Sequence, residues 1–345
     1  MLGLGLLSLP LFLKAESMSQ DYSIWPNSRI SLEPPPCIDP TKATLAYGRL
    51  AIPRLNRELQ DIDLLTRQRA IKTLCDYLHD PEHIYEAVSG RIIPTLIKLL
   101  SDNDESVRAM TVECFITFNR KLMKNHSSGR EKFVENNVYD AMKLLFSENE
   151  RDVIRLKAHR SIELLVLNPL CAEILVKQSI IPSLIECYRR EIEEIQIVIL
   201  DSVSKCLELN PEEGLNANGI EAFSTTLMHS NSNVRHKSAQ AILLLVANDR
   251  GKAEAIEKGV VPKLVELLID PNSEVRASAA GALAFICVKT EGRHACLESF
   301  ATSNLLQCLL NSNSRVRANA LKVLGCIAES PEGRRILQLS LEQHC

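Results

Sequence analysis

The chain of 345 residues is poor in aromatic side chains, which make up 4% of it and include a single tryptophan, Trp25. Proteins that bind single-stranded nucleic acid stack its bases on exposed aromatic rings, so this scarcity argues against such a role. The net charge is −3, and no general excess of lysine and arginine is present to attract phosphate. The composition therefore predicts that nucleic acid is not a partner.

Motifs of catalysis and of nucleotide binding are also missing. The sequence contains no GxxxxGK[ST] loop, no GxGxxG fingerprint and no GxSxG elbow. His79 and His83 have a spacing that could place two imidazoles on one helical face for a metal, but Pro81 lies between them and no third ligand is evident. We therefore predict a protein without enzymatic activity, cofactor, metal or small-molecule substrate.

Cysteine is not scarce, but the eleven cysteines are odd in number and none belongs to a CxxC pair. Cys114, Cys206, Cys287 and Cys326 lie inside apolar stretches with helical spacing, where a free cysteine packs as a small hydrophobe. Such thiols are typical of a reducing compartment, whereas secreted domains pair their cysteines. The pattern predicts a cytoplasmic protein with reduced, buried thiols.

The first 40 residues differ in character from the rest. Residues 1–13 are apolar and resemble the core of a signal peptide, yet the first basic residue, Lys14, follows the apolar run. The run is also too short for a normal membrane span, and an upstream or alternative start is the other interpretation. Five prolines from Pro26 to Pro40 predict a disordered or extended lead over residues 1–40. We predict no association with a membrane.

One pattern recurs along the remaining chain and is clearest in residues 259–286. An apolar stripe with helical spacing precedes a turn at residues 270–273, and a second stripe follows the turn. The stripes are Val261, Leu264, Val265 and Leu268, then Val275, Ala279, Leu283 and Ile286. Asp270 or Ser273 could cap the second helix. This helix–turn–helix unit is too small to bury both of its faces alone, so it must stack on copies of itself.

Seven such units follow one another with anchors spaced 40 to 45 residues apart. The residues that open the first long helix of each unit are Pro53, Pro94, Tyr139, Pro182, Ala222, Pro262 and Asn304. A second anchor opens the next helix at Arg67, Arg108, Arg155, Arg235, Arg276 and Arg317, and it is replaced near Gln196 in the fourth unit. The period is typical of HEAT and armadillo repeats. We predict an all-α, right-handed α-solenoid of about seven armadillo/HEAT-like repeats over residues 41–337, followed by a short tail, residues 338–345. Because no polar capping unit follows the last repeat, we expect either that a partner covers it or that the terminal repeat is missing.

Charged side chains recur at the turns between helices. Asp102 lies six residues before Arg108, and Asp270 lies six residues before Arg276. These positions resemble the ladder of HEAT repeats that pairs charges between adjacent units. We therefore predict that these four side chains stabilise the stacking of units and do not bind a ligand.

The ladder is interrupted where another residue occupies the aspartate position. His229 stands there before Arg235, and Asn311 stands there before Arg317. Since these arginines lack the preceding aspartate, Arg235 and Arg317 are candidate contacts for a partner protein.

Two asparagines, Asn168 and Asn248, fall at matching places near the end of the last helix of their units. In armadillo proteins that bind extended peptides, an asparagine there grips the backbone of the ligand, so both are candidate partner contacts. Asparagine is also an ordinary helix C-cap. We prefer the capping interpretation, because the tryptophans of a peptide groove are missing and Trp25 lies outside the repeats.

Several segments resemble a family of armadillo/HEAT-repeat proteins of the ciliary radial spoke. The segments are Asp39–Ala43, Ala46–Gly48, Asp63–Gln68, His79–Glu82, Ala279–Leu283, Thr290–Gly292 and Pro331–Arg334. The resemblance covers about residues 29 to 337. It implies a non-catalytic scaffold in the cytoskeleton of motile cilia and sperm flagella, where it binds other radial spoke or axonemal proteins. The alternative hypothesis is a transport adaptor that binds cargo peptides in a concave groove.

Overall fold

The computed structural model describes residue 39 and residues 41–45, 48–125 and 136–342, so our expectation for residues 1–40 lies outside it except at residue 39. Within these ranges the chain forms twenty α-helices, three short 3₁₀ segments and no strand. None of the helices in them is both long and apolar enough to cross a lipid bilayer. The predicted all-α class is therefore confirmed.

The helices fall into seven units of three helices each. The first, called the short helix, and the second, called the middle helix because of its position, are both brief, and the third is long; the described residues of units one and three include only the middle and long helices. Units one to three contain α1 (Ala51–Glu58), α2 (Leu64–Tyr77), α3 (Pro81–Ser89), α4 (Ile92–Leu99), α5 (Glu105–Asn125), α6 (Val138–Lys143) and α7 (Asp152–Val166). Units four and five contain α8 (Pro169–Lys177), α9 (Ile180–Arg190), α10 (Glu193–Leu207), α11 (Pro211–Asn216), α12 (Gly219–Ser224) and α13 (Ser232–Leu245). Units six and seven contain α14 (Asp249–Glu257), α15 (Val260–Glu266), α16 (Ser273–Ile286), α17 (Thr290–Glu298), α18 (Ala301–Cys308) and α19 (Ser314–Ala328), and α20 (Pro331–Glu342) follows. The 3₁₀ segments are Gly48–Leu50, Leu144–Phe146 and Leu267–Ile269.

The long helices pack on one another in chain order and form one continuous row. Each also packs against the other helices of its own unit. The two apolar stripes that the sequence predicts in residues 259–286 are buried, and Leu264 and Leu283 are fully inaccessible to solvent. Burial of each helix therefore depends on the neighbouring units, which confirms an α-solenoid.

Small side chains allow the long helices to approach closely. In α16, a Cβ atom added to Gly281 would lie 3.1 Å from Nδ2 of Asn319 on α19 and 3.4 Å from the side chain of Leu243 on α13. Nδ2 of Asn319 also donates to the carbonyl oxygen of Ala277 at 3.0 Å. The helix is thus held between both neighbours at distances that a larger side chain would prevent.

The turn between a middle helix and a long helix, called the elbow below, is capped by an asparagine in units five to seven. In unit six Oδ1 of Asn272 accepts from the main-chain N–H of Glu274 at 2.9 Å. The cap is therefore neither Asp270 nor Ser273, as the sequence suggested, because Asp270 binds elsewhere and Ser273 is already helical. Asn231 and Asn313 cap α13 and α19 in the same way.

A residue with positive φ precedes the middle helix in units two to seven. The φ angles lie between 54° and 65° at Arg91, Asn137, Ser179, Asn218, Gly259 and Phe300. Only one of these residues is glycine, although the left-handed region is unfavourable for side chains as bulky as Phe300. The stacking of the units therefore imposes the same backbone turn on unrelated side chains.

The last described helix extends past the limit that the sequence suggested for the solenoid. We placed a boundary between residues 337 and 338, but α20 (Pro331–Glu342) passes through it without interruption. Residues 338–342 therefore continue the final helix.

Candidate functional site

An arginine near the start of the long helix holds the elbow that precedes it. In unit five Nη1 of Arg235 donates to the carbonyl oxygens of His229 and Ser230, both at 2.8 Å. Arg317 makes the same two bonds in unit seven, also at 2.8 Å. Carbonyl groups in a turn have no partner from a regular helix, so this side chain satisfies them. The recurring arginines are thus required by the turn itself.

The other edge of the guanidinium, formed by Nε and Nη2, faces a carboxylate in the elbow of the next unit. Arg67, Arg108 and Arg235 use both nitrogens. Arg155 uses Nε alone, because its Nη2 binds Asp152 of its own helix. We call this row of pairs the arginine ladder. Its members are Arg67 with Asp102 (3.0 Å), Arg108 with Glu150 (2.7 Å), Arg155 with Glu191 (3.0 Å) and Arg235 with Asp270 (2.7 Å). Charge-assisted pairs with two parallel hydrogen bonds are the strongest that side chains make. The ladder therefore joins units across their boundaries.

The ladder pairs are shielded from water. The most buried is Arg155 with Glu191, whose side chains are 9% and 1% exposed. The hydrogen bond from Arg108 lowers the pKa of Glu150, and the same bond raises the pKa of Arg108. Removing one member of such a pair leaves a poorly solvated charge without a partner, which is strongly destabilising.

The register of the ladder corrects two of our assignments. We associated each missing aspartate with the arginine six residues after it, and therefore placed Arg235 among the partner contacts and Arg276 in the ladder. In the structure Arg235 binds Asp270 of the next unit. Nη1 of Arg276 reaches only carbonyl oxygens of its own elbow, including that of Asp270. An acid therefore pairs with the arginine of the preceding unit, because the arginine in its own unit is bound to the elbow backbone.

Two ladder acids, Glu150 and Glu191, were not recognised in the sequence. Both are glutamates in less regular units, where a search for aspartate six residues before an arginine does not find them. The signal that could have found Glu191 is the acidic cluster where α9 ends and α10 begins, since the sequence there carries three glutamates within four residues, two of them in the first turn of α10.

Between units four and five both members of the ladder pair are replaced, the arginine by a glutamine and the acid by a histidine. Gln196 takes the arginine position, and its Nε2 donates to the elbow carbonyl of Tyr188 at 3.1 Å. His229 takes the acid position, and its Nδ1 accepts from the main-chain N–H of Asn231 at 3.1 Å. The elbow bonds are therefore kept, and no arginine is left without its acid.

Between units six and seven only the acid is replaced. Arg276 stands in the arginine position, but the corresponding residue of the next elbow is Asn311. Nε of Arg276 is buried without a hydrogen-bond partner, and no described carboxylate forms an ion pair with this side chain. A cleft of about 420 Å³ opens beside it. The cleft is lined by Leu268, Ile269, Arg276, Gln307, Cys308, Leu310 and Asn311.

The candidate asparagines act as helix N-caps. Oδ1 of Asn168 accepts from the main-chain N–H of Cys171 at 3.2 Å at the start of α8. Oδ1 of Asn248 accepts from the N–H of Arg250 at 2.8 Å at the start of α14, and its Nδ2 donates to Glu212. The C-cap interpretation is therefore wrong, because each asparagine belongs to the helix that follows it.

Arg317 is the one candidate partner contact that is exposed and not paired with an acid among the described residues. Its Nη1 holds the elbow of unit seven, as the equivalent arginines do. A contact between the Nε and Nη2 edge of Arg317 and another protein stays a prediction.

His79 and His83 do not share a helical face. Pro81 begins α3 and Asp80 caps it, so His79 lies before the helix. The ring of His83 stacks on Tyr77 with centroids 3.7 Å apart, and its Nδ1 lies 3.1 Å from the carbonyl oxygen of Tyr77. The described residues contain no group of three or more histidine, cysteine, aspartate or glutamate side chains arranged to hold a metal.

A comparison with protein families agrees with this architecture. The family model described as "Stalled ribosome sensor GCN1-like, HEAT repeats" matches residues 78–327, which is more than half of the chain. The chain belongs to this HEAT-repeat family. The HEAT-repeat assignment agrees with the period of the units and with the continuous row of long helices.

The solved structures that match this chain include two engineered proteins from the Northeast Structural Genomics Consortium. The first has a TM-score of 0.73 at 20% sequence identity, covering 84% of this chain and 71% of the other. The second has a TM-score of 0.39 at 18% identity, covering 81% of this chain and 96% of the other. The first shows that the fold of this HEAT-repeat chain also occurs in an engineered protein. The HEAT-repeat fold supports a non-catalytic role in binding other proteins.

Proposed function

We propose that this HEAT-repeat protein is a scaffold of the axonemal radial spoke, of the kind represented by the radial spoke head 14 homologue. In this role it binds other spoke or axonemal proteins and supports the assembly and beating of motile cilia and flagella. It performs no catalysis there. The observation that carries the proposal is the resemblance of its segments to that ciliary family over about residues 29 to 337.

The structural positions of these segments support the proposal. Asp63 caps α2 by accepting from the N–H of Thr66 at 2.9 Å, and Asp80 caps α3. Gly292 lies where α17 packs on the end of α16, at a point with no room for a Cβ atom. The resemblance therefore falls on residues that determine how helices begin and approach each other, and it is more specific than the apolar period alone.

Affinity purification from ciliated cells tests the proposal. The chain carries a small tag and is expressed in multiciliated cells, with the same tagged chain in non-ciliated cells as the matched control. We expect radial spoke proteins to be enriched only in the ciliated sample. Recovery of no axonemal protein, or of ribosomal proteins in their place, would contradict the proposal.

The cargo-adaptor hypothesis has less support from the structure. It requires the side-chain amides of Asn168 and Asn248 to bind the backbone of a peptide. The Oδ1 atoms of both already cap helices, and Nδ2 of Asn248 is bound to Glu212. An adaptor that used Oδ1 of either asparagine, or Nδ2 of Asn248, would have to break these bonds each time it bound cargo.

A further inference from the structure

The cleft between units six and seven contains an arginine whose position is that of a ladder arginine. At every other described boundary that has an arginine in this position, a carboxylate of the next unit binds its outer edge. Arg276 keeps the bonds to its own elbow, and its Nε is buried without a partner. A site for a carboxylate is therefore formed by the fold and left open by one substitution.

Asn311 cannot complete the site. Its Oδ1 accepts from the main-chain N–H of Asn313 at 2.9 Å, just as Oδ1 of Asp270 accepts from Asn272 at 2.8 Å. In Asp270 the second oxygen then receives Nε of Arg235 at 2.7 Å. In Asn311 the corresponding group is an NH₂, which is a donor and would face another donor. An acceptor from outside the chain is thus needed to satisfy Arg276.

Apolar side chains flank the cleft on the solvent side. Ile269 and Leu310 line it and are 60% and 88% exposed, and Met228 occupies the equivalent position one unit earlier with 51% exposure. Each of the three lies seven residues before the ladder arginine position of its unit. Single exposed apolar residues are common, but these recur in register with the repeat along one edge. They provide contacts for a segment that runs along the elbows.

We propose that this cleft binds the carboxylate of an acidic side chain from a partner protein, on a segment with apolar residues next to the acid. The carboxylate takes the place of the missing ladder acid, and the neighbouring apolar side chains contact Ile269 and Leu310. The inference deepens the scaffold function by naming one partner surface. It requires only that the protein binds other proteins, so it can fail or succeed independently of the ciliary location.

The equivalent cleft between units one and two is an internal control. It has a volume of about 530 Å³ and is lined by Arg67 and Asp102 among others. Its acid is present: Nη2 of Arg67 donates to Oδ1 of Asp102 at 3.2 Å, and Nε lies 3.0 Å from Oδ2, within ion-pair distance although Nε itself makes no hydrogen bond. The two clefts therefore differ in the presence of the carboxylate. Cleft shape alone would make both places bind a carboxylate, whereas our proposal restricts binding to the one beside Arg276.

The test uses the full chain and NMR detection of the arginine Nε–H groups, with the Arg276 signal assigned by its loss in Arg276→Gln. The probes are the blocked tripeptides acetyl-Leu-Glu-Leu-amide and acetyl-Leu-Gln-Leu-amide. We expect the Glu peptide to shift the Arg276 signal in a saturable manner, and the Gln peptide to bind at least about tenfold more weakly because it lacks the charge-assisted bonds. The Arg67 signal should not respond to either peptide.

Two variants make the outcome decisive. Asn311→Asp should fill the site from within and weaken the response of Arg276 to the Glu peptide by about tenfold or more. Asp102→Asn should make Arg67 responsive, which is a gain that unfolding cannot mimic. Equal responses to the two peptides, an unaffected response in Asn311→Asp, or a response to inorganic phosphate alone would each overturn the proposal.

Discussion

The guanidinium of Arg235 holds the carboxylate of Asp270 through two hydrogen bonds of 2.7 and 3.1 Å, although the residues belong to different units. The same guanidinium binds two carbonyl oxygens of its own elbow. One side chain therefore fixes the shape of a turn and the placement of the next unit on it. In a solenoid the interfaces between neighbours contribute directly to stability, so each ladder pair can be tested separately.

Substitutions at two equivalent ladder positions should have opposite effects on stability. Asp270→Asn removes the acid from Arg235 and should lower the free energy of unfolding by about 2 kcal/mol, because a half-buried charge loses its partner. Asn311→Asp supplies an acid to Arg276 and should raise the free energy of unfolding by about 1 kcal/mol. Chemical denaturation of both variants beside the wild type measures these changes.

Glu208→Gln is the matched control for the ladder, since Glu208 and its partner Lys205, three residues earlier in the chain, are both exposed. Its unfolding curve should coincide with that of the wild type. Destabilisation by Asn311→Asp would contradict the register of the ladder, because it would mean that Arg276 does not face residue 311.

A glycine at the third position of a short helix should be intolerant of a methyl group. A Cβ atom at Gly292 would overlap the carbonyl oxygen of Ile286, and the same overlap occurs at Gly251 and Gly333 in their units. Gly292→Ala should therefore lower the free energy of unfolding by about 1–3 kcal/mol, since the backbone must move. Thermal melting followed by circular dichroism measures the loss.

Gly325→Ala is the opposite case, because nothing lies within 4 Å of a Cβ atom at this exposed position inside α19. Alanine has the higher helix propensity, so this variant should gain about 0.5–1 kcal/mol. A loss of stability in Gly325→Ala, or none in Gly292→Ala, would show that the packing of the short helices is different from that described.

The period of the units, the helix pairs and the position of the ladder arginines could be predicted from the sequence. Each depends on local apolar spacing or on turn residues within about fifteen positions. The pairing of those arginines could not, because Arg235 and Asp270 meet only when two units stack. Asp270 lies only six residues before Arg276 in the chain, and this short separation suggested a pairing within one elbow. In the structure Nη1 of Arg276 binds carbonyl oxygens of that elbow instead.

The open site at Arg276 could have been predicted from the sequence, but we assigned the missing acid to the wrong arginine. The substitution at Asn311 is visible, but without the stacking direction it was assigned to Arg317. The left-handed residues also escaped notice, since a strained turn imposed by packing on Arg91 or Phe300 leaves no glycine as a signal.

Substitution of Asn168 distinguishes a role as a helix cap from a role in binding a peptide. Asn168→Ala should destabilise the protein by about 1 kcal/mol, since the N–H of Cys171 loses its acceptor. Asn168→Ser keeps an acceptor at the N-cap and should restore most of this stability. Thermal melting of both variants is the measurement. Equal melting of all three proteins would mean that the asparagine is not needed as a cap and would reopen its role as a peptide contact.

His159 should make the protein less stable in mild acid. Its ring is buried against Phe146 with centroids 4.0 Å apart, and neither ring nitrogen has a hydrogen-bond partner among the described residues. Burial, aided by the charges of Arg155 and Arg190, lowers its pKa from 6.5 to about 3. His159 therefore binds a proton in the unfolded chain but not in the folded chain, and the free energy of unfolding decreases as the pH falls from about 6.5 toward 3.

His159→Phe isolates this effect, because a phenyl ring keeps the stacking on Phe146 and has no titrating group. Between pH 7 and pH 5 the wild type should lose about 2 kcal/mol more of its free energy of unfolding than the variant. Urea denaturation at both pH values gives the comparison. Parallel losses in the two proteins would show that the histidine is hydrated or paired in the folded state.

The location of the protein in multiciliated cells tests the central claim most directly. A fluorescently tagged chain is imaged after detergent removal of the ciliary membrane, with the fluorescent tag alone as control. Our account predicts that the tagged chain remains along the axoneme of motile cilia while the tag alone is washed out. Loss of the tagged chain from extracted axonemes, with its signal confined to the cell body, would contradict a scaffold role in the radial spoke.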